Sequence, residues 1–151
     1  HAELLQDVFT GPELLEARSF SRYLNIVPAA RLARANGAVS MHDVTEGGVL
    51  GAAYEMAEAA GLGLELTSIP IDPLTLKLCR RFSLDPLRLI SSGALLIATP
   101  SPNQVIKALV ADGIPAQQIG SFLSHGANVT LMGENVHPPS GDELWEFKSR
   151  H

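Results

Sequence analysis

Hydrophobic positions along the chain change period several times, and each change marks an element. Between Gly11 and Asn36 they recur at helical spacing: Pro12 can open one helix, Ile26, Ala29, Ala30 and Ala33 share a face of a second, and Gly37 supplies a stop. Two covering helices are expected there. Ala38 to Met41 is short and mostly apolar, which predicts a buried strand that delivers the polar cluster at its end. The helical period returns over Gly47 to Ala60, with Val49, Ala52, Ala53, Met56 and Ala60 on one side, Glu55 and Glu58 on another, and Gly61 as terminator. The local order is strand, polar glycine turn, helix.

Leu62 to Thr67 alternates with period two, as a half-buried strand does. Asp72-Pro73 then gives an N-cap and a proline at the first helical position, after which Leu74, Leu78 and Phe82 can pack inward. Asp85-Pro86 repeats the start signal for a short turn. Gly93 to Thr99 is almost wholly apolar, which suits a central strand covered on both faces better than an edge. Ser101-Pro102-Asn103-Gln104 reads as a capping box opening a helix that ends near Gly113. Ile119–Leu123 and Val129–Met132 are expected as a hairpin through Ser124-His125-Gly126-Ala127. Val136 to Ser140 is an ordered turn, and a second box, Ser140-Gly141-Asp142-Glu143, opens a last helix carrying Leu144, Trp145 and Phe147. Helices first, then three strand–helix units, then a hairpin and tail argue an α+β domain: layered α/β/α with a mixed sheet, not a doubly wound parallel one. Residues 1–37 form N-terminal helices covering the sheet or the remnant of an interdomain segment, and 38–151 the main domain.

Composition narrows the function classes. The 151 residues, 46% hydrophobic, suffice for one compact core. Eleven Lys+Arg against 16 Asp+Glu leave a net charge of −5, with the cations scattered, which argues against a nucleic-acid partner. The single Cys79 makes no internal disulfide, and no run of 18 or more apolar residues offers a membrane span, so a cytoplasmic protein is expected. His1 to Val8 lacks the pattern of a secretory signal, and His1 itself suggests a start at a cut or a tag.

The candidate chemistry sits at the glycine turn. Backbone at Gly47 and Gly48 can approach an anion closely, and the helix that follows points its first N–H groups and positive dipole end outward. Asp43 and Thr45 are equally ordinary helix caps, and Glu46 is what any first turn favours, so spacing alone leaves a helix start and a phosphate site both open. His42 and Glu46 straddle a turn, with His125 and His137 far along the chain, so no metal site is expected. Cys79 reads as a buried small residue on an apolar helix face. Lys77, Arg80, Arg81 and Arg88 form a solvated face, or a cluster that steers an anion or meets another domain. The final helix with Trp145 packs on the core or on a partner.

Met41-His42-Asp43-Val44-Thr45-Glu46-Gly47-Gly48-Val49 is similar to the aspartate, any residue, threonine, arginine, glycine, glycine signature of the hydrogenase-maturation carbamoyl-dehydratases. The likeness continues through Leu84–Leu89, Ser92–Ala98 and Asp142-Glu143-Leu144-Trp145. From Ser40 onward the chain therefore resembles the C-terminal domain of the aminoimidazole-ribonucleotide (AIR) synthetase superfamily, nearest its hydrogenase-maturation branch. The resemblance implies an enzyme that uses ATP and magnesium, held mainly by an N-terminal domain, to phosphorylate an oxygen of a small-molecule substrate, and that works as a homodimer. It also implies that Asp43, Thr45, Glu46, Gly47, Gly48, Ser91, Ser92 and Gly93 form the phosphate- and substrate-facing wall. This chain would then be a non-autonomous part, inactive by itself. Two departures matter: Glu46 stands where the signature has arginine, and the chain ends Phe147-Lys148-Ser149-Arg150-His151 without the branch's carbamoyl-accepting cysteine. They support an alternative expectation, a non-catalytic ligand-sensing, assembly or dimerisation module that keeps the fold.

Overall fold

The computed structural model describes residues 5–150. Helix α1 (Gly11–Ser19) opens on a capping box: the Thr10 hydroxyl accepts from the Glu13 N–H while the Glu13 carboxylate accepts from the Thr10 N–H at 2.7 Å. A 3-10 turn (Phe20–Tyr23) leads to α2 (Val27–Ala35), then β1 (Ser40–Asp43), α3 (Gly48–Ala60) and β2 (Gly63–Leu66). Next come α4 (Pro73–Phe82), β3 (Leu95–Ala98), α5 (Pro102–Ala111), β4 (Gly120–Leu123), β5 (Val129–Leu131), β6 (Glu134–Asn135) and α6 (Glu143–Arg150). Asp72 caps α4 through its carboxylate, which accepts from the Leu74 N–H at 2.8 Å, and Gly61 ends α3 in the left-handed conformation.

Among the described residues six short strands make two sheets. β1 and β3 pair antiparallel, His42 opposite Leu96; the other sheet has the order β4-β2-β5-β6. It is mixed, because β2 runs antiparallel to β4 and parallel to β5. Neighbouring residues of β3 identify the layers. Leu96 packs into the cluster of Leu50, Ala53 and Ala57 from α3 with Leu64, Leu66 and Val129 from β2 and β5. Ile97 packs into the cluster of Ala33 from α2 with Val105 and Leu109 from α5. Successive side chains of a strand point to opposite faces, so α3 covers one face and the α2–α5 pair the other: an α/β/α arrangement. A third cluster joins Val8 and Phe9 to Leu74, with Leu78 and Phe82 packed against it.

Several local expectations give way to non-local packing. β4 and β5 are no hairpin: β2 lies between them, drawn in by Leu64 and Leu66, and the true hairpin joins β5 to β6 through Met132 and Gly133 at φ +52° and +85°. β3 is covered on both faces as expected, yet laterally it is an edge, and all four of its residues are only half-buried. Neither expected box forms in the second half. The Ser101 side chain makes no cap; its own N–H is taken by the Thr99 hydroxyl at 3.1 Å. At α6 the cap is Asp142, which accepts from the Leu144 N–H at 2.9 Å, rather than Ser140. β1 also starts two residues later than expected.

Candidate functional site

Strand β1 and the segment before β3 carry the two candidate runs to one edge. Asp43 lies opposite Leu95, and the Val44 N–H donates to the Ala94 carbonyl at 3.0 Å. The turn after β1 then presses on the loop before β3: the Leu50 N–H donates to the Leu87 carbonyl at 3.1 Å, and a Cβ on Gly48 (φ +65°) would stand 2.5 Å from that same oxygen. Gly93 (φ +101°) has a matching task, since its Cβ would stand 2.6 Å from the Tyr23 carbonyl. These two glycines let three backbone segments touch. Asp43, Thr45, Glu46 and Ser92 are exposed along the resulting rim, Ser91 is half-buried with its hydroxyl donating to the Leu89 carbonyl at 2.9 Å, and Gly47 and Gly48 are buried.

The N–H groups of both glycines of the turn are used within the protein. Gly48 N–H reaches the Thr45 carbonyl at 3.1 Å, Gly51 N–H the Gly47 carbonyl at 3.0 Å, and Gly47 N–H the Asp142 carboxylate at 3.0 Å. Asp142 is 1% exposed and ties two helix starts together, one oxygen on the N–H of Gly47 before α3 and the other capping α6 through Leu144. Neither Asp43 nor Thr45 caps α3; its N-cap is Gly47 in the left-handed conformation. The segment before Asp142 closes over the turn: a Cβ on Gly47 would lie 3.0 Å from Pro139, and Arg88 Nη2 donates to the His137 carbonyl at 3.1 Å.

Beside the rim, His42 is held from both sides. Its Nδ1 lies 2.6 Å from the Asp43 carbonyl and its Nε2 2.6 Å from the Glu55 carboxylate. Acceptors on both nitrogens favour the protonated ring. The Asp43 carbonyl is the largest influence holding its pKa above the ordinary value; burial opposes it, and the Glu55 hydrogen bond adds to the rise. The ring sits among the carboxylates of Asp43 and Glu55, with Glu46 further along the turn.

Among the described residues no group of three His, Cys, Asp or Glu side chains is arranged to hold a metal ion. Cys79 is buried, 2% exposed, and burial pushes its thiol pKa up, so it is a packing residue. The basic cluster is largely engaged. Lys77 pairs with Glu13 at 2.7 Å and holds its carboxyl down at about 2, Arg81 lies over the Phe82 ring, and Arg88 ties down the C-terminal segment. Sequence reasoning missed Asp142 and Arg88 as builders of the turn; the Asp-Glu-Leu-Trp run was visible as a motif, but its partner lies 95 residues away.

Residues 16–131 match the family described as AIR synthase related protein, C-terminal domain. Over 71 residues, 46% of this chain, the sequence is 39% identical to the carbamoyl dehydratase HypE of Rhodobacter capsulatus, covering 21% of that protein. Over 95 residues, 62% of this chain, it is 40% identical to the phosphoribosylformylglycinamidine synthase subunit PurL of Cereibacter sphaeroides, covering 11% of it. The fold is similar to the crystal structure of Escherichia coli HypE, a hydrogenase maturation protein, with TM-score 0.69 and 28% identity over 81% of this chain and 42% of that one. The chain therefore spans less than half the length of each of these relatives.

Proposed function

The chain belongs to the family of AIR synthase related C-terminal domains, and from that premise we propose that it forms the substrate-facing wall of an ATP-dependent active site completed by a second, N-terminal domain. The observation that carries this reading is the meeting of the Asp43–Gly48 turn with the Leu87–Ala94 loop at one polar rim. Asp43, Thr45, Glu46, Ser91 and Ser92 would orient the substrate, while Gly47, Gly48 and Gly93 bring their backbones together. ATP and magnesium belong mainly to the other domain in this reading, as the resemblance implies, and the N–H groups of Gly47 and Gly48 are bonded within the protein. Glu46 and Asp43 repel a bare phosphate. The rim therefore suits a cationic or amide group of a small molecule. The whole protein would act in the cytoplasm as a homodimer, as the resemblance implies.

One observation favours a second reading, a ligand-sensing or assembly module without chemistry: the buried Asp142 carboxylate takes the Gly47 N–H of the glycine turn and places a negative charge behind it. Calorimetry with magnesium-ATP separates the two, run on this chain and on a longer protein that adds a nucleotide-binding domain. Binding by the longer protein alone is the expected outcome. Tight binding by this chain alone would sink the division of labour, and binding by neither would sink the enzyme reading. In a Glu46→Arg variant of the longer protein, affinity for pyrophosphate should rise if the rim faces the reacting phosphate, and stay unchanged if the turn is only a helix start.

A further inference from the structure

Among the described residues β3 pairs with β1 alone and β4 with β2 alone, so each has a second edge without a strand. The hydrogen bonds fix which backbone groups lie on those edges. The carbonyls of Ala94 and Ala98 accept from Val44 and Val39 on the β1 side, so the alternate residues Leu95 and Ile97 turn their N–H and C=O groups away from β1. The Ile119 carbonyl accepts from the Thr67 N–H on the β2 side, so Gly120 and Phe122 turn theirs away from β2. At that outer edge the Gln118 amide donates to the Gly120 carbonyl at 3.2 Å, a side chain standing where a neighbouring strand would be.

Both edges open on one cleft of about 1780 Å³, lined without a break by residues 94–99 and by 117–122. Alternate side chains of a strand point to opposite faces, so an unbroken run lines a cavity only when the strand's edge fronts it. The same cleft is lined by Val49 and Met56 from the α3 layer and by Ile26 and Val105 from the α2–α5 layer. Residues of both strand edges and of both helical layers thus line one cleft.

The size and chemistry of the cleft select a polypeptide. Its volume exceeds the roughly 1,000 Å³ upper range of small-molecule pockets. Arg22 is the one cation in a lining that is otherwise mostly aliphatic, which disfavours a phosphorylated ligand. β3, with the Leu-Leu-Ile-Ala composition of an interior strand, is only half-buried because that lateral cover is open.

We propose that this cleft is a strand-addition site for an extended, uncharged, largely aliphatic polypeptide segment from outside this domain. The segment hydrogen-bonds to Leu95 and Ile97 on one side and to Gly120 and Phe122 on the other. Because helical layers lie on both faces, it is aliphatic at successive positions and not only at alternate ones. The cleft shares Ser91, Ser92 and Gly93 with the polar rim, and the proposal concerns only the part fronted by the edges of β3 and β4.

Amide exchange followed by NMR tests it, with a capped peptide of central sequence Val-Ala-Val-Thr-Val and a lysine at each end as probe. In the chain alone, Leu95, Ile97, Gly120 and Phe122 should exchange at least about tenfold faster than the inward-facing Leu96 and Ser121. The peptide should slow them to the rate of those neighbours. Leu95→Pro removes an outward N–H and no bond to β1, so it should fold by circular dichroism and lose the peptide's effect. The proposal is overturned if the four outward amides are already as protected as the inward ones in dilute monomer, or if millimolar peptide leaves them unchanged. It is equally overturned if their protection rises with protein concentration alongside a doubled mass by light scattering, which would assign the edges to a second copy of this chain.

Discussion

At the scale of single residues, two side chains set the geometry around the glycine turn. Asp142 gives one oxygen to each of two helix starts from a buried position, and loss of a buried acceptor leaves both N–H groups unsatisfied. Asp142→Ala should therefore cost about 3 kcal/mol in urea unfolding, with Asp142→Asn retaining part of that because its amide oxygen still accepts. Equal losses in the two variants would show that charge, and not hydrogen-bond geometry, is what the turn needs. His42 makes the opposite kind of contribution, since its pKa is raised in the folded state. Its stabilisation is complete below the unfolded value of about 6.5 and disappears as pH rises through the folded value. The stability gap between the protein and His42→Gln should thus be widest below about pH 6.5 and narrow as pH rises above it, as read by urea midpoints. A gap that widens with pH would mean the ring is neutral and held as an acceptor.

At the scale of elements, what was legible in the sequence is what is decided locally. Helices α2, α3 and α4 follow from their apolar period, the proline start at Asp72-Pro73 and the Gly61 stop, all within a few residues of one another. The strand at Gly63–Leu66 follows from its alternation. Strand order was not legible, because β2 reaches its place between β4 and β5 through Leu64 and Leu66 packing on α3, a contact no turn signal encodes. The glycine turn itself was readable from spacing, whereas the carboxylate that bonds to it comes from the far end of the chain. Capping motifs show the same limit. Thr10 and Glu13 close a reciprocal box, but Ser101 makes no side-chain bond to its helix, and its own N–H goes to the Thr99 hydroxyl. Thr10→Ala should then cost about 1 kcal/mol while Ser101→Ala stays within about 0.5, a contrast that thermal unfolding of the two variants resolves.

At the scale of the whole molecule, the apolar residues divide into separate clusters and do not form one continuous core. The cluster that joins α3 to β2 and β5 contains side chains that are nearly or fully buried: Ala53 at 0%, Val129 at 1% and Leu66 at 2%. The β1–β3 ladder instead leans on α2 and α5 from one side and on α3 from the other, with every β3 residue half-exposed. Opening that ladder exposes less apolar surface than opening β2, so the two should separate in free energy. Native-state hydrogen exchange across a denaturant series makes the distinction. The inward amides of His42 and Leu96 should exchange through a smaller opening, with a shallow dependence on denaturant, while Leu64 and Leu66 exchange only on global unfolding. If all four amides share one free energy and one slope, the two ladders unfold as a single unit. In that case the interleaving of Leu96 with the α3 cluster, and not the open lateral edge of β3, governs how the molecule comes apart.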